Sequence, residues 1–339
     1  MANTIGRDIR DRMTFTDGVA TCSQATLWTF GRCLMSRDGL AFKSVSKRFG
    51  TVEALSNVSL LVPPGHVFGL LGENGAGKST FIHLAAGVLP PSSGSIEVPA
   101  GTVGWCAQRQ MIDWFVDCRT NVWLGARLAG LTGRAAWEAS DRALEQVNLT
   151  GAYLSRTPEV LSGGQQQRLM IARTLAMKAD LLLLDEPTVG LDALNVGRLT
   201  SAIIEARNAG AIVVVSSHEF ENVEPVLDEV GFLDEGRVVF QGTVASFVNK
   251  FVSEEVVTLR FSSLSEVNIE CLAALEGEVL NFEPASSTVE LRAPRSLGIG
   301  AITARLPDFL EVLEVVRRPA SLRDAVVAAS GRLSGSGDE

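Results

Sequence analysis

The chain has 339 residues, of which 46% are hydrophobic, and a formal net charge of −9 at pH 7. This length predicts two or three domains, and the hydrophobic fraction suffices for buried cores, which excludes a disordered chain. The acidic balance argues against broad, sequence-independent binding to nucleic acid or to anionic lipid. The five cysteines are scattered and lack CxxC spacing, so neither a disulfide framework nor a structural metal site is expected.

The N-terminal residues 1–38 mix arginine, aspartate and threonine without a sustained period. We therefore predict a poorly ordered N-terminal extension. Its apolar segment ATLWTF is too short for a secretory signal. No stretch of the chain approaches the roughly 20 apolar residues that span a bilayer. The sequence thus predicts neither a transmembrane segment nor a signal peptide.

Residues 39–250 alternate short β-branched runs with helical patterns, which predicts an α/β fold with a largely parallel sheet. Between about 110 and 168 the strand patterns give way to helical ones, so we place a helical insert there. After residue 250 the segments EEVVTLRF and STVELRA predict strands, and LSEVNIECLAAL and SLRDAVVAAS predict helices. Residues 251–339 are therefore expected to form a small α+β domain with a frayed tail.

The segment GENGAGKST, residues 72–80, matches G-x-x-x-x-G-K-[ST] between a predicted strand and a predicted helix. Small residues let the backbone wrap a polyphosphate, so that successive N–H groups face its oxygens. Lys78 would then contact the β- and γ-phosphates, and the Ser79 hydroxyl would contact Mg²⁺. The nucleotide-binding residues predicted from this motif are Gly72, Asn74, Gly75, Ala76, Gly77, Lys78, Ser79 and Thr80.

Polar side chains follow three predicted strands at the edge where such sheets bind ligands. In LLLLDEP, Asp185 is expected to hold Mg²⁺ and Glu186 to act as general base toward the attacking water. His218 follows AIVVVSS, where it could hydrogen-bond the γ-phosphate and the water. Gln108 ends TVGWCAQ and could reach Mg²⁺ or the water. Taken alone, an Asp-Glu pair after a strand is more often a solvated turn, a lone histidine is normally a surface or satisfied core residue, and a glutamine at a strand end is more often a plain surface residue.

Two further features suggest contacts with a nucleotide. In LSGGQ, Ser162, Gly163, Gly164 and Gln165 begin an amphipathic helical run, so exposed N–H groups and a positive helix end coincide. This predicts an anion site, whose phosphate could belong to the same chain or to another copy. Phe49, in SKRFG, could stack on adenine, although an aromatic residue at a strand end is often part of the core.

These motifs occur along the chain in the order seen in ATP-binding cassette (ABC) ATPases, which the chain resembles over residues 39–250. The motifs that carry the resemblance are Phe49, GENGAGKST, Gln108, LSGGQ, LLLLDEP, VGLD with Asp192, and His218. It implies a P-loop NTPase fold with a RecA-like parallel core, an antiparallel β subdomain and a helical insert. It also implies head-to-tail cassette dimers, in which residues 162–165 contact ATP on the other subunit and Asp192 lines the same interface. The family usually has tyrosine at the position of Phe49, which preserves stacking but lacks the hydroxyl.

The resemblance implies an ATPase that uses ATP and Mg²⁺ on the cytoplasmic face of the membrane. Its expected partners are a separately encoded polytopic permease and a second ABC ATPase subunit, with a homodimer favoured and no nucleic acid. The tail SLRDAVVAASG is similar to that of cassettes serving ABC-2-type exporters, which favours export. Gln108 and residues 112–130, with Trp105, Trp114 and Trp123 in or beside them, would contact the permease through an exposed aromatic patch. For any one of these tryptophans, packing in the core is an alternative at least as common.

Two other functions stay open at this stage. One is a soluble ABC ATPase that acts on ribosomes or nucleic acid, although one P-loop, no sustained heptads and an acidic balance weigh against it. The other is a nucleotide-gated regulatory module with little turnover, against which the presence of Glu186 and His218 argues.

Overall fold

The computed structural model describes residues 15–16, 19–20, 33–36, 39–108, 111–217, 220–262, 278–283, 285–303 and 311–334. The strands are β1 Phe15–Thr16, β2 Val19–Ala20, β3 Cys33–Ser36, β4 Leu40–Phe49, β5 Val52–Val62, β6 Val67–Leu71, β7 Ser93–Pro99, β8 Val103–Cys106, β9 Leu181–Asp185, β10 Ile212–Ser216, β11 Glu229–Asp234, β12 Arg237–Gly242, β13 Glu254–Phe261, β14 Glu278–Glu283, β15 Thr288–Pro294 and β16 Val312–Arg318. The α-helices are α1 Lys78–Ala85, α2 Cys118–Leu128, α3 Gly133–Gln146, α4 Gly163–Leu175, α5 Ala193–Asn208, α6 Val244–Phe251, α7 Ile299–Thr303 and α8 Leu322–Ser334.

The centre of the molecule is a six-stranded sheet with the order β12-β11-β6-β10-β9-β8. Its strands are parallel except for β12, which runs antiparallel to β11. Every residue of β6, β9 and β10 is buried. Strands covered on both faces read as continuous apolar runs, which explains VFGLL, LLLLD and IVVVS. The predicted parallel α/β core is confirmed.

Alternate residues of these strands pack into two separate cores, one on each face of the sheet. Leu182 and Leu184 of β9 join Val213 and Val215 of β10 in a core shared with α2, α3, α4 and α5. Leu181 and Leu183 lie on the opposite face, in a core shared with α1 and the antiparallel strands β4, β5 and β7. The sheet is thus held in place from both sides.

A second sheet, with the order β3-β7-β4-β5, covers the face that carries α1. Its first strand, β3, lies within residues 1–38, for which the sequence predicted a poorly ordered extension. Cys33–Ser36 pairs parallel with β7, and Met35 lies opposite Val98. Backbone pairing along an existing strand edge needs no hydrophobic period in the added strand, so the pattern of residues gave no signal. β1 and β2 also lie in this range, as a two-residue antiparallel pair.

The helical insert consists of α2 and α3, followed by two short 3₁₀ turns, Gly151–Tyr153 and Pro158–Val160. Asp117 caps α2 by accepting the N–H of Thr120 at 2.6 Å. Arg119 of α2 forms two 2.7 Å hydrogen bonds with Asp141 of α3. Both helices fall within the stretches predicted to be helical.

The insert does not present the exposed tryptophan patch that the sequence suggested. Trp123 stacks on Trp137, with ring centroids 5.3 Å apart. Trp105 packs edge-on against His83, with centroids 5.0 Å apart. Tryptophan is usually buried over most of its area because its large apolar ring gains more from packing than from exposure. The most exposed aromatic side chain described here is Phe115, at 95%.

The C-terminal region forms an antiparallel sheet with the order β14-β15-β13-β16. The predicted strands EEVVTLRF and STVELRA correspond to β13 and β15, and SLRDAVVAAS lies in α8. The predicted helix LSEVNIECLAAL lies outside the described residues. Helix α8 does not pack with this sheet's core; it joins α6 and β11 of the central domain.

In the part of the chain that is described, no helix is long and apolar enough to cross a membrane.

Close packing between α2 and α4 depends on Gly125, whose missing side chain leaves room for the carbonyl of Arg173. We expect Gly125→Ala to lower the free energy of unfolding by about 1–3 kcal/mol, because the added Cβ overpacks this contact. The control is Gly197→Ala in α5, where an added Cβ meets no atom. That change should raise stability by up to about 1 kcal/mol. Urea unfolding measures both, and equal effects would contradict the close packing.

Candidate active site

A cleft of about 300 Å³ opens at the carboxyl ends of β6 and β9. It brings together the glycine-rich loop, the adjacent carboxylates after β9 and the glutamine after β8. The lining residues are Ala54, Asn74, Gly75, Gly77, Lys78, Ser79, Thr80, Gln108, Asp185 and Glu186. Three motifs that are far apart in the chain therefore meet in one site.

The glycine-rich loop turns sharply between β6 and α1. Gly77 precedes α1 with a φ of 106°, a backbone conformation that residues other than glycine rarely adopt. Gly72 has a φ of 144°, and a Cβ there would collide with the carbonyl of Leu233. The loop can therefore follow this path only with glycine at both positions, and it leaves its N–H groups at the start of a helix.

Lys78 lies inside the loop, with its side chain almost fully buried. Its ammonium donates to the carbonyls of Gly72 at 2.8 Å and Glu73 at 2.9 Å. Burial lowers the pKa of Lys78 below its usual 10.5, and the carboxylates of Glu186 and Asp185 oppose this shift. The cation is thus held at the loop, where a polyphosphate would contact it.

Ser216, at the end of β10, holds the Asp185 carboxylate and the backbone of Glu186. The Ser216 hydroxyl donates to Asp185 Oδ1 at 2.6 Å. It also accepts the N–H of Glu186 at 3.1 Å, and its own carbonyl accepts the same N–H at 3.1 Å. Glu186 has a φ of 52°, in the left-handed region, which is strained for a non-glycine residue. Ser216 therefore holds the Asp185 carboxylate and helps to fix the Glu186 backbone in a conformation that an isolated turn would rarely adopt.

The other residues predicted for this site are distributed as follows. Gln108 lies in the cleft and is exposed. Phe49, Gly72 and Ala76 do not line it; Phe49 is 47% exposed at the end of β4, with the Lys47 ammonium 5.0 Å from its ring centroid. His218 lies outside the described residues. Stacking of Phe49 on adenine thus requires that the adenine of a bound nucleotide extends beyond the phosphate cleft.

The segment LSGGQ does not line the cleft of its own chain. Ser162 caps α4 by accepting the N–H of Gln165 at 3.4 Å, and Gln165 Oε1 accepts the N–H of Ser162 at 2.9 Å. Ser162 and Gly163 are exposed, and no atom lies near the position of a Cβ on Gly163. The N-terminus of α4 is thus rigidly capped and open to solvent.

Asp192 performs the same capping function one helix later. Its carboxylate accepts the N–H of Asn195 at 2.9 Å and begins α5. A Cβ on Gly164 would come within 2.6 Å of the carbonyl of Gly190, so the two helix starts are packed against each other. Asp192 is itself exposed. LSGGQ and the loop before α5 therefore form one continuous surface, separate from the cleft.

The profile of the ABC transporter family matches residues 55–189. The uncharacterized ABC transporter ATP-binding protein YhaQ of Bacillus subtilis is 31% identical over 261 residues, which cover 75% of this chain and 85% of YhaQ. The chain belongs to the family of ABC transporter ATP-binding proteins.

Two more similarities agree with this membership. The Nod factor export ATP-binding protein I of Burkholderia pseudomallei is 29% identical over 309 residues, which cover 88% of this chain and 99% of that protein. A solved structure of the ATP-binding subunit of an ABC transporter has a TM-score of 0.59 and 26% identity, covering 62% of this chain and 92% of its own. The fold is therefore that of an ABC ATPase cassette, with an antiparallel subdomain and a helical insert.

Sequence reasoning missed two residues of this ABC cassette's site. Ala54 lines the cleft from β5, and no motif marks it. Ser216 is the last residue of β10 and the first polar one after the apolar run. Its position at a strand end was visible in the sequence, but its bond to Asp185 depends on how β9 and β10 pair.

Replacing Ser216 by alanine removes the hydrogen bond to the Asp185 carboxylate and the side-chain acceptor of the Glu186 N–H. We expect kcat for ATP hydrolysis to fall about tenfold, with ATP affinity changed by less than about threefold, because the phosphate loop is untouched. Steady-state ATPase assays and titration with a fluorescent nucleotide measure the two effects. Ser201→Ala, at an exposed serine of α5 that also bonds a backbone carbonyl, is the control and should leave kcat unchanged. A fall in affinity alone would contradict the positioning of Asp185 and Glu186.

Proposed function

We propose that this chain hydrolyses ATP between two cassettes and thereby drives export through a separately encoded membrane permease. The observation that carries the proposal is the meeting of Lys78, Asp185 and Glu186 in one cleft. A buried lysine at a helix N-terminus binds a polyphosphate, and an adjacent buried carboxylate can accept a proton from water. The combination supports phosphoryl transfer to water better than nucleotide binding alone.

In this scheme ATP is the substrate, and each group of the chain has a distinct part. The loop N–H groups and Lys78 bind the phosphates and stabilise the charge that develops as the bond between the β–γ bridging oxygen and the γ-phosphorus breaks. Glu186 accepts the proton of the water whose oxygen bonds to that phosphorus. Mg²⁺, held by Ser79, Asp185 and Gln108, would supply further positive charge at the phosphates. His218 would hydrogen-bond the γ-phosphate and the water.

The exposed end of α4 supports assembly of the site from two copies. Ser162, Gly163, Gly164 and Gln165 do not line their own cleft, yet they form a capped helix N-terminus with Ser162 and Gly163 exposed to solvent. Such an end attracts anions through its N–H groups and helix dipole. A head-to-tail homodimer would place this end, together with Asp192, over the nucleotide of the other subunit.

Head-to-tail assembly can be tested by mixing two inactive variants. Lys78→Ala disables phosphate binding, and Ser162→Arg blocks the end of α4. Each homodimer should lose ATPase activity, by about a hundredfold or more. A dimer of one Lys78→Ala and one Ser162→Arg subunit keeps one intact site, so mixing should restore turnover. If each chain completed its own site, no mixture would recover activity, and the two-copy site would be wrong. Mixing either variant with itself is the control.

A groove of about 220 Å³ beside Gln108 supports docking of the permease. It is mostly apolar and lined by Ala86, Val103, Trp105, Cys106, Ala107, Met111, Leu128, Met170, Arg173, Thr174 and Met177. Met111 and Leu128 are 53% and 72% exposed, and Phe115 follows Met111 on the same loop. Exposed apolar side chains around a flexible methionine lining fit an amphipathic helix from a partner.

Hydrogen bonds from α2 and α4 hold the loop that carries Met111 and Phe115. Buried Asn121 of α2 donates to the carbonyl of Asp113 at 2.8 Å and accepts the N–H of Asp113 at 2.9 Å. Arg173 donates to the carbonyl of Met111 at 2.7 Å. A preorganised surface costs little ordering entropy when a partner binds. The loop also follows Gln108 directly, so docking there would be coupled to the nucleotide cleft.

Export is the direction that the relatives support best. The Nod factor export relative matches across nearly its whole length and includes the C-terminal region of this chain. A methionine import ATP-binding protein of Caulobacter vibrioides is 38% identical, but over only 60% of this chain. The C-terminal residues thus favour an exporter, acting at the cytoplasmic face of the membrane.

The docking site is tested by Phe115→Ser in the full chain, purified by affinity from its native membranes. We expect a large loss of the copurifying polytopic protein, about tenfold, because an exposed aromatic residue at an interface often carries much of its binding energy. ATP affinity should be unchanged. Leu313→Ser, at a residue 54% exposed on β16, is the matched control and should retain the partner. Copurification of a ribosomal complex instead would support the soluble alternative.

A further inference from the structure

Helix α4 carries, one turn beyond LSGGQ, an arginine that bonds to two other helices. The guanidinium Nη1 of Arg168 donates to the carbonyls of Val147 at 3.2 Å and Asn148 at 2.6 Å. These residues follow α3, whose last carbonyls lack donors within the helix, and a cation there also interacts favourably with the helix dipole. The same nitrogen donates to Asn195 Oδ1, in the first turn of α5, at 3.3 Å. Arg168 thus joins the end of α3 and the start of α5 to the helix that begins at LSGGQ.

Asn195 connects this arginine to Asp192, the residue that caps α5. Its side-chain amide donates to both carboxylate oxygens of Asp192, at 2.9 Å each, and its backbone N–H donates to one of them at 2.9 Å. The amide oxygen of Asn195 accepts from Arg168. Asn195 is only 8% exposed, so both ends of its amide need a partner. The exposed Asp192 carboxylate is therefore oriented, through Asn195, by Arg168.

The starts of α4 and α5 are also in direct backbone contact. A Cβ on Gly164 would come within 2.6 Å of the carbonyl oxygen of Gly190, so the two segments cannot move closer together. The hydrogen bond from Arg168 to α5 opposes their separation. The spacing between residues 162–165 and Asp192 is thus fixed in both directions. We call residues 162–165 together with Asp192 the LSGGQ surface.

This fixed spacing matters for a nucleotide held between two copies. In the proposed dimer, the N–H groups at the start of α4 bind phosphate oxygens on the other copy, and Asp192 lies beside them. Hydrogen bonds weaken steeply when a donor is displaced or misaligned, and small errors of placement slow a reaction strongly. Arg168 and Asn195 do not line the cleft of their own chain. Their effect on turnover would therefore pass through the LSGGQ surface to the site of the other copy.

We infer that Arg168 and Asn195 position the LSGGQ surface, so that they control hydrolysis of the ATP bound to the other copy rather than to their own. Both are positioning residues in this scheme, not catalytic ones. The inference rests on the proposed ATP hydrolysis between two cassettes. It extends the site beyond the motif residues, to a polar link that lies behind the LSGGQ surface.

The test uses the full chain and asks whether Arg168 acts on the site of its own copy or of the other. Arg168→Ala is mixed in equal amounts either with Lys78→Ala, which lacks a working phosphate loop, or with Ser162→Arg, which lacks a working LSGGQ surface. The matched control is Arg142→Ala, because Arg142 also joins α3 to α5, through an exposed pair with Glu205 at 3.1 Å. Steady-state ATPase activity and ATP affinity are measured for every variant and mixture, and urea unfolding verifies that each chain is folded.

We expect Arg168→Ala alone to lower kcat about tenfold, with ATP affinity changed by less than about threefold, because the phosphate loop is intact. Mixing it with Lys78→Ala should raise turnover about fivefold above the mean of the two unmixed variants, since each mixed dimer keeps one intact site. Mixing it with Ser162→Arg should give no gain, because both copies then have a defective LSGGQ surface. Arg142→Ala alone should match the wild type.

The opposite patterns overturn the inference. Recovery with Ser162→Arg but not with Lys78→Ala would mean that Arg168 acts on the site of its own copy. Recovery with neither would mean a general structural defect, and an unchanged kcat would mean that the link has no effect on turnover. If Arg168→Ala does not fold, Asn195→Ala, which breaks the link to α5 alone, takes its place in the same mixtures with the same expected results.

Hydrogen exchange of the Gln165 and Asn195 amides separates a failure of this inference from a failure of the proposed function. Both amides donate to the residues that cap their helices, and both should exchange faster in Arg168→Ala than in the wild type. If the wild type does not hydrolyse ATP, or if mixing Lys78→Ala with Ser162→Arg recovers no activity, the proposed function is wrong. Exchange then decides alone: unchanged protection of both amides in Arg168→Ala overturns the positioning of the LSGGQ surface.

Discussion

The parallel register of β6, β9 and β10 is the constraint on which the active site depends. Leu184 pairs with Val215 and Asp185 with Ser216, so the first polar residue of each strand emerges at the same edge. A slip of β9 by one residue would draw the Asp185 carboxylate into an apolar core, which is costly without a partner. The hydrophobic runs thus set the register, and the register sets the distance between the Ser216 hydroxyl and the carboxylate.

The residues expected to contact nucleotide also stabilise the cassette itself. Ser162 and Asp192 cap α4 and α5 whether or not a nucleotide is bound. Gly72 and Gly77 are required by the backbone path, and Gly164 by the neighbouring carbonyl of Gly190. The same geometry that satisfies helix ends leaves N–H groups facing solvent, where an anion can approach. The same residues therefore contribute to the stability of the cassette and to ligand binding. A substitution in one of these motifs is expected to affect both properties.

The C-terminal region is less independent of the cassette than its position in the chain suggests. Its sheet has its own core, yet its last helix completes a core of the central domain. The cost of closing the intervening loop grows only slowly with its length, so a helix that buries several apolar residues can return over a long insertion. This architecture places the helix that ends the described part of the chain in one core with Leu71, the last residue of the strand before the phosphate loop.

The sequence by itself determined the parallel core, the phosphate loop, the order of the motifs and the strands β13 and β15. These follow from local patterns: apolar runs, glycine spacing and alternation. Only the tertiary structure decided that β3 joins a sheet, that Trp105 and Trp123 are packed while Phe115 is exposed, and that α8 leaves its own domain. Each of these features depends on a contact between segments that are far apart in the chain. Such a contact produces no periodic pattern of residues in either segment, so the sequence does not reveal it. Ser216 shows the boundary between the two, since its place at a strand end is local, but its bond to Asp185 exists only because two distant strands lie side by side.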